Sequence, residues 1–187
     1  GCLQALRVAL YALAHLAEQH LHRHVRHLDV LQDVAGVDAV AAEAVLRHKL
    51  AQAGLADRVE LDSAGTGGWH IGEPPDGRAI RHAALRGYDL SLLRGRRVVD
   101  EDFRRFHLIL AMDEDNLEAL REAADDKYRH KIHLFLEYCG VESRRNVPDP
   151  YYGGPIGFER VLDMVEEAAD ALISRLGQLL AEREPRA

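Results

Sequence analysis

Cysteine is scarce in this chain of 187 residues, which holds only Cys2 and Cys139, far apart in the sequence. Two isolated cysteines do not build a disulfide framework, so a reducing, cytoplasmic location is predicted. No apolar run reaches the length of a membrane span. The N-terminal segment lacks the clean apolar core and small-residue cleavage site of a signal peptide. These absences predict no membrane partner.

A basic surplus is also missing, because 24 Lys and Arg stand against 31 Asp and Glu, for a net charge of −7. Nucleic-acid binders usually carry an excess of positive charge, so no nucleic-acid partner is predicted. The balance of 47% apolar and 29% charged residues is that of an ordinary globular protein. The length suits one domain with a real core.

The pattern of the chain changes near residue 40. Residues 3–19 have the period of an amphipathic helix, and residues 20–40 have no firm period. We therefore describe residues 1–40 as an atypical N-terminal segment, in which residues 28–31 are a candidate first strand. Residues 41–187 form the α/β body. The predicted strands are 58–64, 107–112 and 131–136, and the predicted helices are 41–54, 74–87, 113–120 and 158–180.

Strands that alternate with helices predict a parallel sheet covered by helices on both faces. On the first helix of the body we expect Glu43, Arg47 and Lys49 to be exposed. Ligands of such folds bind beyond the carboxyl ends of the strands. The informative loops are therefore residues 63–69, 113–116 and 147–153.

The loop Val147-Pro148-Asp149-Pro150-Tyr151-Tyr152-Gly153, the acid loop, is the strongest local signal. The flanking prolines stiffen the backbone at Asp149. Tyr151 and Tyr152 supply aromatic walls with polar tips. A general acid needs such fixed placement, although a stiff surface turn is the alternative.

Three further residues follow predicted strands. Ser63 could support an anion-binding loop or end its strand in a plain turn. Trp69, the only tryptophan, is a pocket wall or a core residue. Asp113 orients a catalytic loop or caps the next helix.

The histidines at 20, 22 and 24 alternate, as on one face of a strand. No cysteine or acidic residue lies at a convincing ligand spacing from them, so we predict no metal site. No other pattern indicates a cofactor.

Taken in chain order, these segments resemble the low molecular weight protein tyrosine phosphatases. The same body also resembles the bacterial arsenate reductases and protein-arginine phosphatases that share the fold. The resemblance covers about residues 41–180, and the matching pieces are AEAVLRHKL (42–50), DSAGTGGWHIGEPPDGRA (62–79), RGYDLS (86–91), EDFRRFHLILAMDEDNL (101–117) and VPDPYYGG (147–154).

The resemblance implies a four-stranded parallel sheet and hydrolysis of phosphate monoesters, on phosphorylated proteins or small esters, through a phosphocysteine. It matches Asp149 to the general acid, Ser63 to the support of the phosphate loop and Asp113 to a structural acid. Trp69, Tyr151 and Tyr152 match substrate-binding positions. The family's phosphate loop, a Cys-x5-Arg cradle that opens a helix, binds the dianion and lowers the thiol pKa.

The cradle is where the chain departs from the family. Its sequence should read roughly V-C-x-G-N-x-C-R-S-P just before residue 41, but the chain has LQDVAGVDAV at 31–40. An alignment without gaps puts Gln32 at the nucleophile and Asp38 at the phosphate-binding Arg. We expect neither Cys2 nor Cys139 to supply a substitute cradle. The chain is therefore predicted to be catalytically impaired.

Two origins of this difference are considered. One is a decayed or repurposed phosphatase that keeps the body as a non-catalytic binding module, with a pocket near Trp69 and Asp149. The other, which we favour, is that residues 1–40 arise from a frameshift, a gene rearrangement or an artificial junction, because drift would erode the whole body. Resequencing codons 25–45 tests it; an intact frame with no nearby codons for the family loop would refute it.

Overall fold

Four strands and six α-helices follow one another along the part of the chain that the computed structural model describes, namely residues 28–33, 37–68, 70–141, 144–150 and 154–181. The strands are β1 (Leu28–Asp33), β2 (Val59–Ala64), β3 (Leu108–Ala111) and β4 (Ile132–Leu134). The helices are α1 (Val37–Gln52), α2 (Gly77–Leu85), α3 (Asp100–Arg105), α4 (Glu114–Ala123), α5 (Phe135–Tyr138) and α6 (Gly154–Ala181). A 3-10 helix, Asp126–Lys131, precedes β4.

The strands form one parallel sheet in the order β2-β1-β3-β4. β1 pairs with β2 from Leu28↔Val59 to Asp33↔Ala64, and its last residues pair with β3 on the other side. Residues 28–33 therefore supply a central strand, although they lie in the segment that has no counterpart among the family pieces quoted above.

Helices cover both faces of the sheet, as predicted. On β3, Leu108 and Leu110 join the core formed with α1, α2 and α6, whereas Ile109 and Ala111 join a second core with α3 and α4. The two sets alternate because successive side chains of a strand point to opposite faces. All of β3 is buried, as expected for an apolar central strand.

Several element boundaries differ from those predicted. α1 begins at Val37 rather than at residue 41. α6 begins at Gly154 rather than at residue 158, so the predicted loop is shorter. A Cβ on Gly157 would lie 2.9 Å from the Pro150 carbonyl oxygen, and glycine lets the helix start this close to the acid loop. Phe135 and Leu136, predicted as strand, form the short helix α5. A short apolar run has no period that separates the two states.

The outer edge of β2 is covered by groups of the chain itself. Arg47 donates from Nη2 to the Leu61 carbonyl oxygen at 2.6 Å, and the Ser63 amide donates to Asp62 Oδ1 at 2.8 Å. The Val59 amide donates to the Leu55 carbonyl at 3.1 Å. Beyond the strand, Gly65 pairs with Arg97. Backbone groups of Val59, Leu61 and Ser63 at this edge therefore have hydrogen-bond partners within the chain.

Candidate active site

The carboxyl ends of β1, β2 and β3 lie side by side at one edge of the sheet. In the register of the strands, Gln32 of β1 stands between Ser63 of β2 and Leu110 of β3. Ligands of open parallel α/β sheets bind at this edge. The structure therefore brings the position matched to the nucleophile next to Ser63.

The two altered cradle positions lie at the two ends of a strand-to-helix connection. Gln32 belongs to the end of β1, and Asp38 is the second residue of α1. Five residues separate them, which is the spacing of Cys-x5-Arg. In the structure the two positions therefore lie on either side of the connection from β1 to α1.

Ser63 is buried and makes its hydrogen bond to α1. Its Oγ donates to Glu43 Oε2, and the other oxygen of that carboxylate accepts from Arg47 Nε at 2.7 Å. Glu43 is only 3% exposed, so its predicted exposure was wrong. The signal was its position among Ala and Val residues on a helix that packs on the sheet. A buried carboxylate needs such partners, and it fixes the first turns of α1 against the end of β2.

The acid loop is fixed at the end of β3. The Val147 amide donates to the Met112 carbonyl oxygen at 2.9 Å. Val147 and Pro150 are buried, whereas Asp149 between them is exposed at the carboxyl edge of the sheet. Asp149 therefore lies between two buried residues of a segment that is hydrogen-bonded to the end of β3.

Helix α6, which follows the acid loop, is anchored to α2. Phe158 stacks on the His82 ring at a centroid distance of 5.3 Å. His82 Nδ1 lies 2.6 Å from Glu159 Oε1, and Arg86 donates to the same carboxylate. Hydrogen bonds from Arg86 and His82 lower the pKa of Glu159. The helix start that supports the acid loop is therefore held by charged and aromatic contacts.

Asp113 caps α4. It is the residue before the helix, and its Oδ1 accepts from the Asn116 amide at 2.7 Å. Of the two roles considered from the sequence, the contact found is the cap. It also fixes the direction in which the chain leaves β3 beside the acid loop.

Residues 65–73, called the wall loop here because Trp69 lies within it, pair with the segment 95–98. The Gly65 amide donates to the Arg96 carbonyl at 2.8 Å, and the Gly72 amide donates to the Gly95 carbonyl at 2.7 Å. A Cβ on Gly95 would lie 2.3 Å from the His70 carbonyl oxygen, so only glycine fits there. Trp69, Tyr151 and Tyr152 themselves lie outside the described residues.

An arginine clamp that the sequence analysis did not find secures the same region. Arg96 Nη1 lies 2.8 Å from Asp102 Oδ2, and Arg96 Nη2 lies 2.9 Å from Asp62 Oδ2. Asp102 also accepts from the Val99 amide at 2.9 Å. No spacing rule links residues 62, 96 and 102, because their contact arises from the fold. The sequence therefore offered no signal for this clamp.

The spacing Cys-x5-Arg occurs once in the sequence, from Cys139 to Arg145, but the fold does not make it a cradle. Cys139 follows the helix α5, not a strand, and Arg145 is paired with Glu114 and Glu137 at 3.1 and 3.4 Å. Burial raises the pKa of the Cys139 thiol to about 12. A thiol of this kind is protonated at neutral pH and unreactive.

No group of three or more His, Cys, Asp or Glu side chains among the described residues could hold a metal ion. The alternating histidines at 20, 22 and 24 lie outside that part of the chain. Among the helices described, none is long and apolar enough to cross a membrane.

Comparisons with known proteins agree with this geometry. A family model described as low molecular weight phosphotyrosine protein phosphatase matches residues 34–182. A putative low molecular weight protein-tyrosine-phosphatase of Synechocystis is 42% identical over 141 residues, which are 75% of this chain and 89% of that protein. A low molecular weight protein-tyrosine-phosphatase of Streptomyces coelicolor is 41% identical over 145 residues, 76% of this chain and 88% of that protein.

Solved structures show the same fold. The crystal structure of a protein tyrosine phosphatase from Entamoeba histolytica, with Hepes in its active site, has a TM-score of 0.77 and 36% identity, over 81% of this chain and 97% of that chain. YfkJ from Bacillus subtilis has a TM-score of 0.76 and 32% identity, over 81% and 96%. The α/β class and the predicted resemblance are confirmed. The chain therefore belongs to the low molecular weight phosphotyrosine protein phosphatase family.

Proposed function

We propose that this chain keeps the scaffold of a phosphotyrosine phosphatase but does not hydrolyse phosphate monoesters through a phosphocysteine. The family implies phosphorylated proteins or small phosphate esters as ligands. The observation that supports the loss of turnover is the placement of Gln32 and Asp38 at the end of β1 and the start of α1, with the spacing of the family's Cys and Arg.

The side chains at these two positions have the wrong chemistry for the reaction. Gln32 has a neutral amide in place of a thiolate, so no phosphoenzyme bond can form there. Asp38 brings a carboxylate to the first turn of α1, where the helix N-terminus would otherwise attract a dianion. Like charges about 4 Å apart repel by roughly 1–4 kcal/mol, depending on screening. The cradle is therefore deprived of its nucleophile and of its electrostatic attraction.

Cys139 does not replace the missing nucleophile. Burial raises the pKa of its thiol, so the thiol is protonated at neutral pH and is a poor nucleophile. It follows α5, and its hydrogen-bonded turn, from the Cys139 amide to the Phe135 carbonyl at 3.0 Å, belongs to the end of that helix. Without a phosphoenzyme-forming step, no leaving group is released for Asp149 to protonate as a general acid.

Hydrolysis of p-nitrophenyl phosphate between pH 5 and 8 tests this proposal. We expect no turnover above the buffer rate, and no change on Asp149→Ala. Turnover that Asp149→Ala abolishes would contradict the proposal, because it would mean that another group supplies the nucleophile. An unrelated trace phosphatase in the preparation is recognised by activity that Asp149→Ala leaves intact.

The second candidate is a non-catalytic module that binds a phosphorylated ligand near Trp69, Asp149 and Tyr151. It is favoured by the backbone hydrogen bonds that fix the acid loop and the wall loop. The Val147 amide donates to the Met112 carbonyl, and the Gly72 amide donates to the Gly95 carbonyl. Binding of a phosphotyrosine peptide without hydrolysis, measured by calorimetry, would support this function. Binding equal to that of the same unphosphorylated peptide would argue against it.

A further inference from the structure

The 3-10 helix Asp126–Lys131 lies at the amino end of β4, so it is at the edge of the sheet opposite to the candidate active site. Tyr128 within it is half-buried, and its ring packs against the core that is formed with α3 and α4. The residues on either side are exposed, namely Asp125, Asp126, Lys127, Arg129 and His130. A tyrosine is therefore presented from a short surface segment.

Two ammonium groups lie beside the Tyr128 ring. Lys127 Nζ is 4.8 Å and Lys131 Nζ is 5.0 Å from the centre of the ring. A hydrogen bond with the Tyr128 side chain raises the pKa of Lys127, which puts this ammonium group near the hydroxyl. Both distances are measured to one ring, so the fold brings the two cations to the same side chain.

The charge of Lys131 is not balanced by a carboxylate among the described residues. Its Nζ donates to three carbonyl oxygens around the end of α3, those of Phe103, Arg104 and Phe106, at 3.1, 3.5 and 3.0 Å. Burial lowers the pKa of this ammonium group. A half-buried cation without a counter-ion costs free energy, so an anion placed beside it is favoured.

The carboxylate that accompanies Lys127 is held weakly. Asp125 Oδ2 lies 3.5 Å from Lys127 Nζ, and the two side chains are 70% and 65% exposed. Exposed pairs of this kind contribute little free energy. The next carboxylate, that of Asp126, is paired with Arg129 at 2.8 Å. Lys127 is therefore free to exchange Asp125 for a group of higher charge.

The surroundings of Tyr128 differ from those of Tyr88. Asp125 and Asp126 precede Tyr128 in the chain, and charge patterns beside the acceptor residue are one way in which kinases select substrates. Tyr88 is only 8% exposed, and its hydroxyl donates to Glu166 Oε1 at 3.0 Å. A phosphate on Tyr88 would meet a carboxylate, so Tyr88 is a negative control within the same chain.

We propose that Tyr128 is a phosphorylation site whose phosphate is bound by Lys127 and Lys131. The phenolic oxygen attacks the γ-phosphorus of ATP in the active site of a tyrosine kinase, ADP leaves as its bond to that phosphorus breaks, and the hydroxyl proton passes to a base of the kinase. The product carries a charge of about −1.5 to −2 at pH 7 and three acceptor oxygens, which match two ammonium groups. The site does not depend on the proposed function.

Incubation of the full chain with MgATP and a purified tyrosine kinase tests whether Tyr128 can be modified. The kinase is one that phosphorylates the synthetic peptide of residues 122–134, so that its specificity is established beforehand. Mass spectrometry should find phosphate at Tyr128 at least about tenfold faster than at Tyr88, which is reached only when the structure opens. A rate at Tyr128 no higher than that at Tyr88, or no phosphate at Tyr128, would overturn the site.

The full chain with phosphotyrosine placed at position 128 by stop-codon suppression tests the role of the two lysines. A titration followed by ³¹P NMR should give a second phosphate pKa at least about 0.5 lower than in the phosphorylated peptide of residues 122–134, because nearby cations favour the dianion. Lys127→Gln and Lys131→Gln should each reduce this difference. Because Lys127 is exposed, its variant keeps the test decisive even if Lys131→Gln does not fold.

The matched control is Lys49→Gln, which removes an equal charge that pairs with Asp170 on α6. It should leave the phosphate pKa of the full chain unchanged. A pKa equal to that of the peptide, or an equal reduction in the Lys127 and Lys49 variants, would refute the binding of the phosphate by these lysines.

Discussion

At the scale of single residues, Glu43 shows how a charge can be required in the core of this fold. Its carboxylate accepts from Ser63 and from Arg47, and it is almost fully buried. Removal of a buried carboxylate leaves both donors without their partner, which is strongly destabilising. The contact couples the helix that opens the cradle to the strand beside it.

We predict that Glu43→Leu lowers the free energy of unfolding by about 3 kcal/mol. Urea unfolding followed by circular dichroism measures it. The same change at Glu101, whose ion pair with Arg104 is exposed, is the control and should cost less than about 1 kcal/mol. Equal effects of the two variants would show that the burial of Glu43 adds nothing.

His133 gives the fold a dependence on pH. Burial lowers the pKa of its imidazole from 6.5 to about 4, and its Nε2 is buried without a hydrogen-bond partner among the described residues. Between pH 6.5 and 4 the imidazole of His133 binds a proton in the unfolded chain but stays neutral in the folded chain. The stabilising contribution of the neutral ring is therefore complete above pH 6.5 and is lost as the pH falls towards 4.

We predict that the free energy of unfolding falls by about 3 kcal/mol more in the unmodified chain than in His133→Leu between pH 6.5 and 4. Urea unfolding at half-unit intervals of pH measures the difference, and other titrating groups cancel in the comparison. Parallel pH profiles of the two proteins would contradict it.

Single-residue environments were the part of the structure that the sequence predicted least well. The structure places Ser63 near the end of β2 and bonds the loop of Asp149 to the residue after β3, and both strand ends can be read from apolar runs in the sequence. Glu43 and Arg96 were missed, because their burial and ion pairs depend on elements distant in the chain. The role of a charged residue is decided by what packs over it.

At the scale of elements, the proposed weakness of phosphate binding depends on the start of α1. The helix begins at Val37, so Asp38 falls in its first turn. An acidic residue in the first turn of a helix generally stabilises the helix through the positive end of its dipole. An acidic residue at this position also disfavours an external dianion at the same end of the helix.

We predict that Asp38→Arg raises the affinity for inorganic phosphate at least about tenfold, since one repulsive charge becomes attractive. Titration followed by ³¹P NMR measures the dissociation constant. Glu118→Arg, which makes the same change of charge on the exposed side of α4, is the control and should have no such effect. A rise of equal size in both variants would assign the gain to net charge.

The predicted elements matched the structure where the period was strong. β2, β3 and α4 were found within a few residues, and α6 was found except for its first turn. The short helix α3 was not predicted, because six residues are too few for a helical period to appear.

At the scale of the whole molecule, β1 holds the sheet together. It lies between β2 and β3, so its loss would separate β2 from the pair β3 and β4. The family model begins only at residue 34, directly after this strand. The part of the chain that the family model matches therefore lacks one of the two central strands of the sheet.

We predict that a chain of residues 28–187 unfolds in urea as a single cooperative transition, whereas a chain of residues 34–187 shows no cooperative transition. The two chains differ by β1 and are otherwise the same. Circular dichroism and tryptophan emission, followed in parallel, measure this. A cooperative transition of residues 34–187 would mean that β2 and β3 can pair without β1.

The covered edge of β2 bears on how copies of this chain behave together. An exposed strand edge is a template on which another chain can add a strand, and such addition leads to fibres. Here Arg47 and Asp62 occupy backbone positions that an incoming strand would need, and the opposite edge strand, β4, has only three residues. Because neither feature depends on the residues at 32 and 38, substitutions at those two positions should leave both sheet edges as poor templates for strand addition.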